Sequence, residues 1–225
     1  MNKKIYVALL LAPLLFTACN KQPVATESLT QEVITTSSTE IKQSVSEVAT
    51  KMVTKTTEIN GVRFINKPIV EEEGLVHIDG FMGSIKPTLE DATKGDKTHM
   101  TAMGVCSNMA MEMTDSYNAQ LSNVKIRRTA LKYRNEKNKP DATDISVMET
   151  LNEKADFKPV VIDMNDHYRV YKPLATKQDC LVCHGDVSQI PPKVMEGIKR
   201  DYPKDLATGY SVGEFKGAII AEILK

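Results

Sequence analysis

Apolar and polar positions change rhythm several times along the chain. Ile5 to Phe16 is an apolar run broken only by Pro13. Residues 21–60 then turn polar, with fourteen Ser or Thr and no Gly, a composition that buries too little surface to order itself well. Within that stretch Ile41, Val45, Val48 and Met52 recur at helical spacing, which predicts an amphipathic helix over 40–53. Thr56 to Ile65 alternates instead, and Asn60-Gly61 between two β-prone tetrads predicts a two-residue hairpin. Residues 97–119 read as one helical run with few breakers, and 125–133 as a strand with Thr129, Leu131 and Tyr133 on one face. Asp141 reads as an N-cap with Asp144 three residues on, opening a helix that buries Ile145, Met148 and Leu151. Val160–Met164 and Tyr168–Lys172 read as strands joined at Asn165-Asp166, followed by a helix near 192–200 and a final apolar strand, Lys216–Leu224. Strands outnumber crossover helices and the turns are short, so an α+β fold with a mostly antiparallel sheet is expected. No internal repeat is evident.

Composition narrows the class. The chain has 225 residues, 41% of them apolar and 26% charged, which suits a soluble globular body of one domain or a small pair. Basic and acidic side chains balance at 29 each, so nothing points to nucleic acid. Beyond the first twenty residues no run is long and apolar enough for a membrane span. The start reads as an export signal: Lys3 and Lys4 precede the apolar run, and Thr17-Ala18 supply small residues before a cut. Leu15-Phe16-Thr17-Ala18-Cys19 resembles a bacterial lipobox, with Phe16 where an aliphatic residue is usual. The expected organisation is a signal peptide over 1–18, a lipid anchor at Cys19 with a Ser/Thr-rich tether over 19–55, and a folded body over 56–225. That places the body on the periplasmic side of a bacterial membrane, held through acyl chains. Asn20, where an acidic residue often retains such proteins at the inner membrane, favours the outer one.

The most specific motif is Cys180-Leu181-Val182-Cys183-His184. Cys-x-x-Cys-His is the attachment site of c-type haem. Two thiols three residues apart can each add to one vinyl group, and the next residue then offers an imidazole to the iron. A structural disulfide or a thioredoxin-like redox pair would also use the two cysteines, but neither needs the trailing His184. A zinc site would need further ligands at close spacing. Candidates for the opposite axial position are Cys106, the ten methionines beyond Met1, and His77, His99 and His167. On the 97–119 helix His99, Met103, Cys106, Ala110 and Met113 share a face, which equally describes an ordinary core stripe. Arg127, Arg128 and Arg134 are candidates to pair with the haem propionates, the alternative being solvent-facing strand positions. Tyr202 and Tyr210 either line the pocket or pack, and Lys86 to Lys97 reads as a solvated face.

Five segments carry a family resemblance. Ala102-Met103-Gly104-Val105-Cys106; Ile126 to Asn135 with Asn138 and Pro140-Asp141; Cys180 to Gly185; Tyr202-Pro203-Lys204-Asp205; and Ala207-Thr208-Gly209-Tyr210 with Gly213 and Lys216-Gly217-Ala218 resemble, in that order, a PAS-like single-haem c-type domain family. Members occur as standalone exported proteins and as extracytoplasmic sensor regions, and the resemblance spans roughly residues 84–222. It implies a PAS-like, mostly antiparallel sheet with flanking helices and a long N-terminal helical region, with one covalent haem c attached toward the C-terminal part. It also implies a thiolate from Cys106 as second axial ligand opposite His184, which gives each of the four cysteines a task. Ala130, Glu136 and Asp144 stand where the family has Ser, Pro and Glu; none is a proposed iron ligand. Thiolate ligation would stabilise Fe(III) and lower the midpoint potential, where methionine would raise it. The functions implied are periplasmic electron transfer or redox and ligand sensing, with a haem enzyme such as a peroxidase as the alternative. An enzyme would need an open iron face and acid–base groups above it, and the histidines form no such motif. The redox or signalling partner is not identifiable from the residues, and a homo-oligomer is compatible with them.

Overall fold

Asn60 and Gly61 both take positive φ, 50° and 75°, as a two-residue hairpin turn requires. They fold β1 (Thr56–Ile59) onto β2 (Val62–Ile65). This is the first detail in a computed structural model that describes residues 55–225. The signal peptide, Cys19, the tether up to residue 54 and the helix expected over 40–53 lie outside the described residues.

Four more strands complete the sheet: β3 (Val124–Thr129), β4 (Val160–Asp163), β5 (His167–Ala175) and β6 (Phe215–Leu224). The order is β1-β2-β4-β5-β6-β3, and every neighbouring pair is antiparallel. The expected α+β class therefore holds, with one six-stranded sheet flanked by helices. Side chains alternate between the two faces, and each face meets a helix. Val161, Val170, Ile219, Ala221 and Ile126 pack with Val70, Ile78 and Phe81 of helix α1 (Pro68–Gly95). Ile162, Tyr171, Ala218 and Ile220 pack on the opposite face with Val147, Met148 and Leu151. Those three come from a second helix, Ala142–Lys154. No described helix is long and apolar enough to cross a membrane.

Helix α1 is not evident from the residue pattern. Gly74, Gly80, Gly83 and Pro87 lie within it, and each lowers helix propensity. Burial of the Val70, Gly74, Ile78 and Phe81 stripe outweighs them. Gly74 is there for proximity: a Cβ on it would come 2.5 Å from the Val170 side chain.

The 97–119 run is a helix in three pieces: α2 (Met100–Gly104), a π turn at Val105–Met109, and α3 (Ala110–Asn118). The strand expected over 125–133 stops at Thr129. Next to Ala218, the β6 partner of Thr129, Gly217 takes φ 144° and lies so close that a Cβ would meet Thr129 O at 2.5 Å and Ala130 Cβ at 2.9 Å. The chain turns out of the ladder there. The capping box of α4 (Ala142–Lys154) forms in both directions between Asp141 and Asp144. Ile145 does not face the core as expected; it is 39% exposed, because the buried stripe runs through Asp144, Val147, Met148 and Leu151. A short helix α5 (Leu181–His184) follows β5, then α6 (Pro192–Asp201) where a helix was expected.

Candidate functional site

The Cys-x-x-Cys-His segment folds as a 3₁₀ turn, Gln178–Cys180, running into α5. Gly185 ends it: its N–H donates to Leu181 O at 2.8 Å, and a Cβ there would stand 2.7 Å from that same oxygen. Cys106, Cys180 and Cys183 are all free thiols. Cys180 Sγ accepts from Lys177 N–H at 3.4 Å. Cys183 packs beside Met103, Ile190, Val194 and Ile198; burial pushes its thiol up, and nearby Cys106 adds to the effect.

His184 is oriented by the loop after α6. Its Nδ1 lies 2.6 Å from Ala207 O and 3.1 Å from Lys216 Nζ. One ring nitrogen cannot donate to a carbonyl and accept from an ammonium at once; the shorter contact, to Ala207 O, is the hydrogen bond, and Lys216 is a neighbour. Burial, then the charges of Lys216 and Arg134, hold the imidazole well below its ordinary titration range. A neutral ring whose Nδ1–H donates to Ala207 leaves the Nε2 lone pair for a metal. The loop is pinned in turn: Gly209 N–H donates to Gly185 O at 2.8 Å and Tyr210 N–H to His184 O at 3.0 Å. The Tyr210 ring meets His184 edge-on, 6.4 Å between centroids.

Cys106 sits in the π turn, an arrangement often found at functional sites. Burial pushes its thiol up, opposed by Arg134, Arg128 and Lys216, and Tyr202 O–H donates to the Cys106 carbonyl at 2.9 Å. Cys106 and His184 line one cavity of about 190 Å³, partly open to solvent, together with Arg128, Lys132, Arg134, Tyr202, Ala207 and Lys216. His184 is the one histidine in that lining, and no methionine is in it. The expected stripe is divided: Met103 turns into the cluster with Ile190, Val194 and Ile198, while Cys106 faces the cavity.

The three arginines have different surroundings. Arg127 and Arg128, adjacent on β3, point to opposite faces. Arg127 is absent from the cavity lining; it holds Asp144 with two bonds of 2.7 and 2.8 Å and Glu222 with one of 2.8 Å. Arg128 lines the cavity, with Nη2 on Ala110 O at 3.2 Å and a buried Nε that has no partner. Arg134 also lines it but is a fastener. It pairs with Asp205 at 3.0 Å, donates to Cys183 O at 2.6 Å and to Ala207 O at 3.2 Å, and so ties α5 to the loop that orients His184.

Lys216, Asp205 and Ala207 were not assigned roles from the residues, although all three lie in motifs quoted above. Burial, then Arg134, lowers the Lys216 ammonium to about 8.

Residues 20–223 match the model of the Tll0287-like family, Tll0287. The chain belongs to that family. Among solved structures, the crystal structure of the cyanobacterial heme-protein Tll0287 aligns with a TM-score of 0.53 and 20% identity, over 71% of this chain and 97% of that one. At that identity the likeness is one of fold. No curated protein matches. In this Tll0287-like chain the cavity lies where β3 ends and β6 begins, against the π turn and α5.

Proposed function

We propose that this Tll0287-like protein is an exported, lipid-anchored c-type haem protein of the PAS-like, single-haem kind. One haem would be joined to Cys180 and Cys183, with His184 and Cys106 as axial ligands. The observation that carries the reading is the meeting of Cys106 and His184, 78 positions apart in the chain, in the lining of one cavity; Cys180 and Cys183 are free thiols at attachment spacing in the segment that leads into His184, outside that lining. The residues fit such a group: a neutral imidazole offers Nε2, a soft sulfur donor faces the same space, and a buried guanidinium nitrogen lacks an acceptor. Bound there, haem supplies one-electron Fe(III)/Fe(II) chemistry.

The chain's own contribution is to hold two donors and to bias the site. Ala207 fixes the His184 tautomer, Arg134 anchors the segment that carries it, and Tyr202 anchors the carbonyl of Cys106. With His184 and Cys106 both on the iron, no position would be left for peroxide, so periplasmic electron transfer is the first reading and peroxidase turnover is disfavoured. A redox or ligand sensor is the second reading, favoured by the π turn that carries Cys106, a feature frequent at functional sites. The lipid on Cys19 and the tether would keep the body at the membrane, the outer one favoured.

The test is production in a host competent in cytochrome c maturation, followed by extraction with acidified organic solvent and intact-mass measurement. The expected result is haem that stays with the polypeptide and a mass raised by one haem, both abolished in Cys180→Ala/Cys183→Ala. Colourless protein, or haem that extracts freely, overturns the proposal.

A further inference from the structure

Elsewhere in this fold, buried arginines are matched by carboxylates. Arg127 has Asp144 and Glu222, and Arg169 has Asp141, Asp144 and Glu222. Arg134, in the cavity wall, has Asp205. Two half-buried cations in the same wall break the pattern. Arg128 touches only neutral groups: the Ala110 carbonyl at 3.2 Å and the Met111 sulfur at 3.5 Å, with Nε buried and unpartnered. The Lys216 ammonium stands against the His184 ring edge at 3.1 Å and over the Tyr210 ring at 4.1 Å. Among the described residues no carboxylate lies within ion-pair distance of either. A cation withdrawn from water without an anion is costly, and both face the space assigned above to a group bearing two carboxylates.

We propose that Arg128 and Lys216 are the residues that receive the two propionates of the haem. The two lie on neighbouring strands, β3 and β6, whose ladder ends at the Thr129–Ala218 pair beside the cavity. Arg127 has no part in it because it points to the other face, and Arg134 is already held by Asp205. This rests on the haem reading and deepens it, replacing a general expectation about arginines with one arginine and one lysine.

The test uses Cys180→Ala/Cys183→Ala protein, in which haem binds without covalent bonds, titrated with haemin and with haemin dimethyl ester. Loss of charged hydrogen bonds to both carboxylates predicts that the ester binds at least about tenfold more weakly. Adding Arg128→Met and Lys216→Met should bring that ratio close to one. An unchanged ratio overturns the proposal. Thermal unfolding of the native protein gives a second readout, and decides the matter if the background binds neither compound. Arg128→Met/Lys216→Met should lower the unfolding temperature of the covalently loaded form but leave equal or raise that of the haem-free form, where two unpaired charges have been removed. An equal drop in both forms indicates a merely structural role and overturns it. Failure of the haem reading itself shows separately, as absence of covalently held haem in the unmodified protein.

Discussion

Asp144 is 1% exposed, yet it stays ionised. Burial pushes its carboxyl up, but hydrogen bonds from Arg127 and Tyr171 and the Arg127 charge outweigh burial and hold it below the usual carboxylate range. Arg169 adds a contact at 3.3 Å. The group's folded-state titration lies below its unfolded one, near 3.9. Its contribution is therefore complete above that pH and is lost as pH falls through the folded value. Asp144→Asn should cost about 3–5 kcal/mol in urea unfolding at neutral pH, because it leaves buried cations underpaired. Below about pH 4 the wild-type curve should decline more steeply than the variant's; parallel curves would contradict this. Such detail was only partly readable in advance. The Cys180–His184 chemistry is visible because five consecutive residues carry it, whereas Cys106 stood out through a resemblance. Arg127 and Arg128 were indistinguishable until their strand's faces were assigned, and Lys216 was hidden at the start of an apolar strand.

Local signals were legible where they are self-contained. The Asn60-Gly61 hairpin and the Asp141–Asp144 capping box form as the residues predict. Helix α1 was not legible from its own residues, although the resemblance implied a long N-terminal helical region, because its stability comes from the sheet it covers and its glycines argue against it locally. Gly74→Ala tests that origin. The added methyl meets Val170 and should lower stability by about 1–3 kcal/mol, despite the roughly 1 kcal/mol that Ala gains over Gly in a helix interior. Chemical denaturation measures it, and a stabilised variant would show that α1 does not sit tightly on β5. Strand β3 was overextended in the reading of the residues because alternation continues past Thr129. The close approach of Gly217 that ends the ladder is a tertiary fact with no local trace.

The layered fold brings residues from positions 106 to 218 to one end of the sheet, so site and core should unfold together. The proposed attachment to the membrane is a separate matter and has its own test at Cys19. Cys19→Ser should move the protein from the membrane fraction to the soluble one while leaving its spectrum unchanged; equal sedimentation of both forms would remove the anchor. What the cavity does depends on whether its two donors meet the same metal. The ferric EPR and ultraviolet–visible spectra of the haem-loaded protein, compared with those of Cys106→Ala at equal haem content, decide this. A low-spin thiolate signature present in the wild type and lost in the variant is the result expected here. Identical spectra for the two proteins would show that Cys106 does not ligate the iron and would leave the cavity without its second donor.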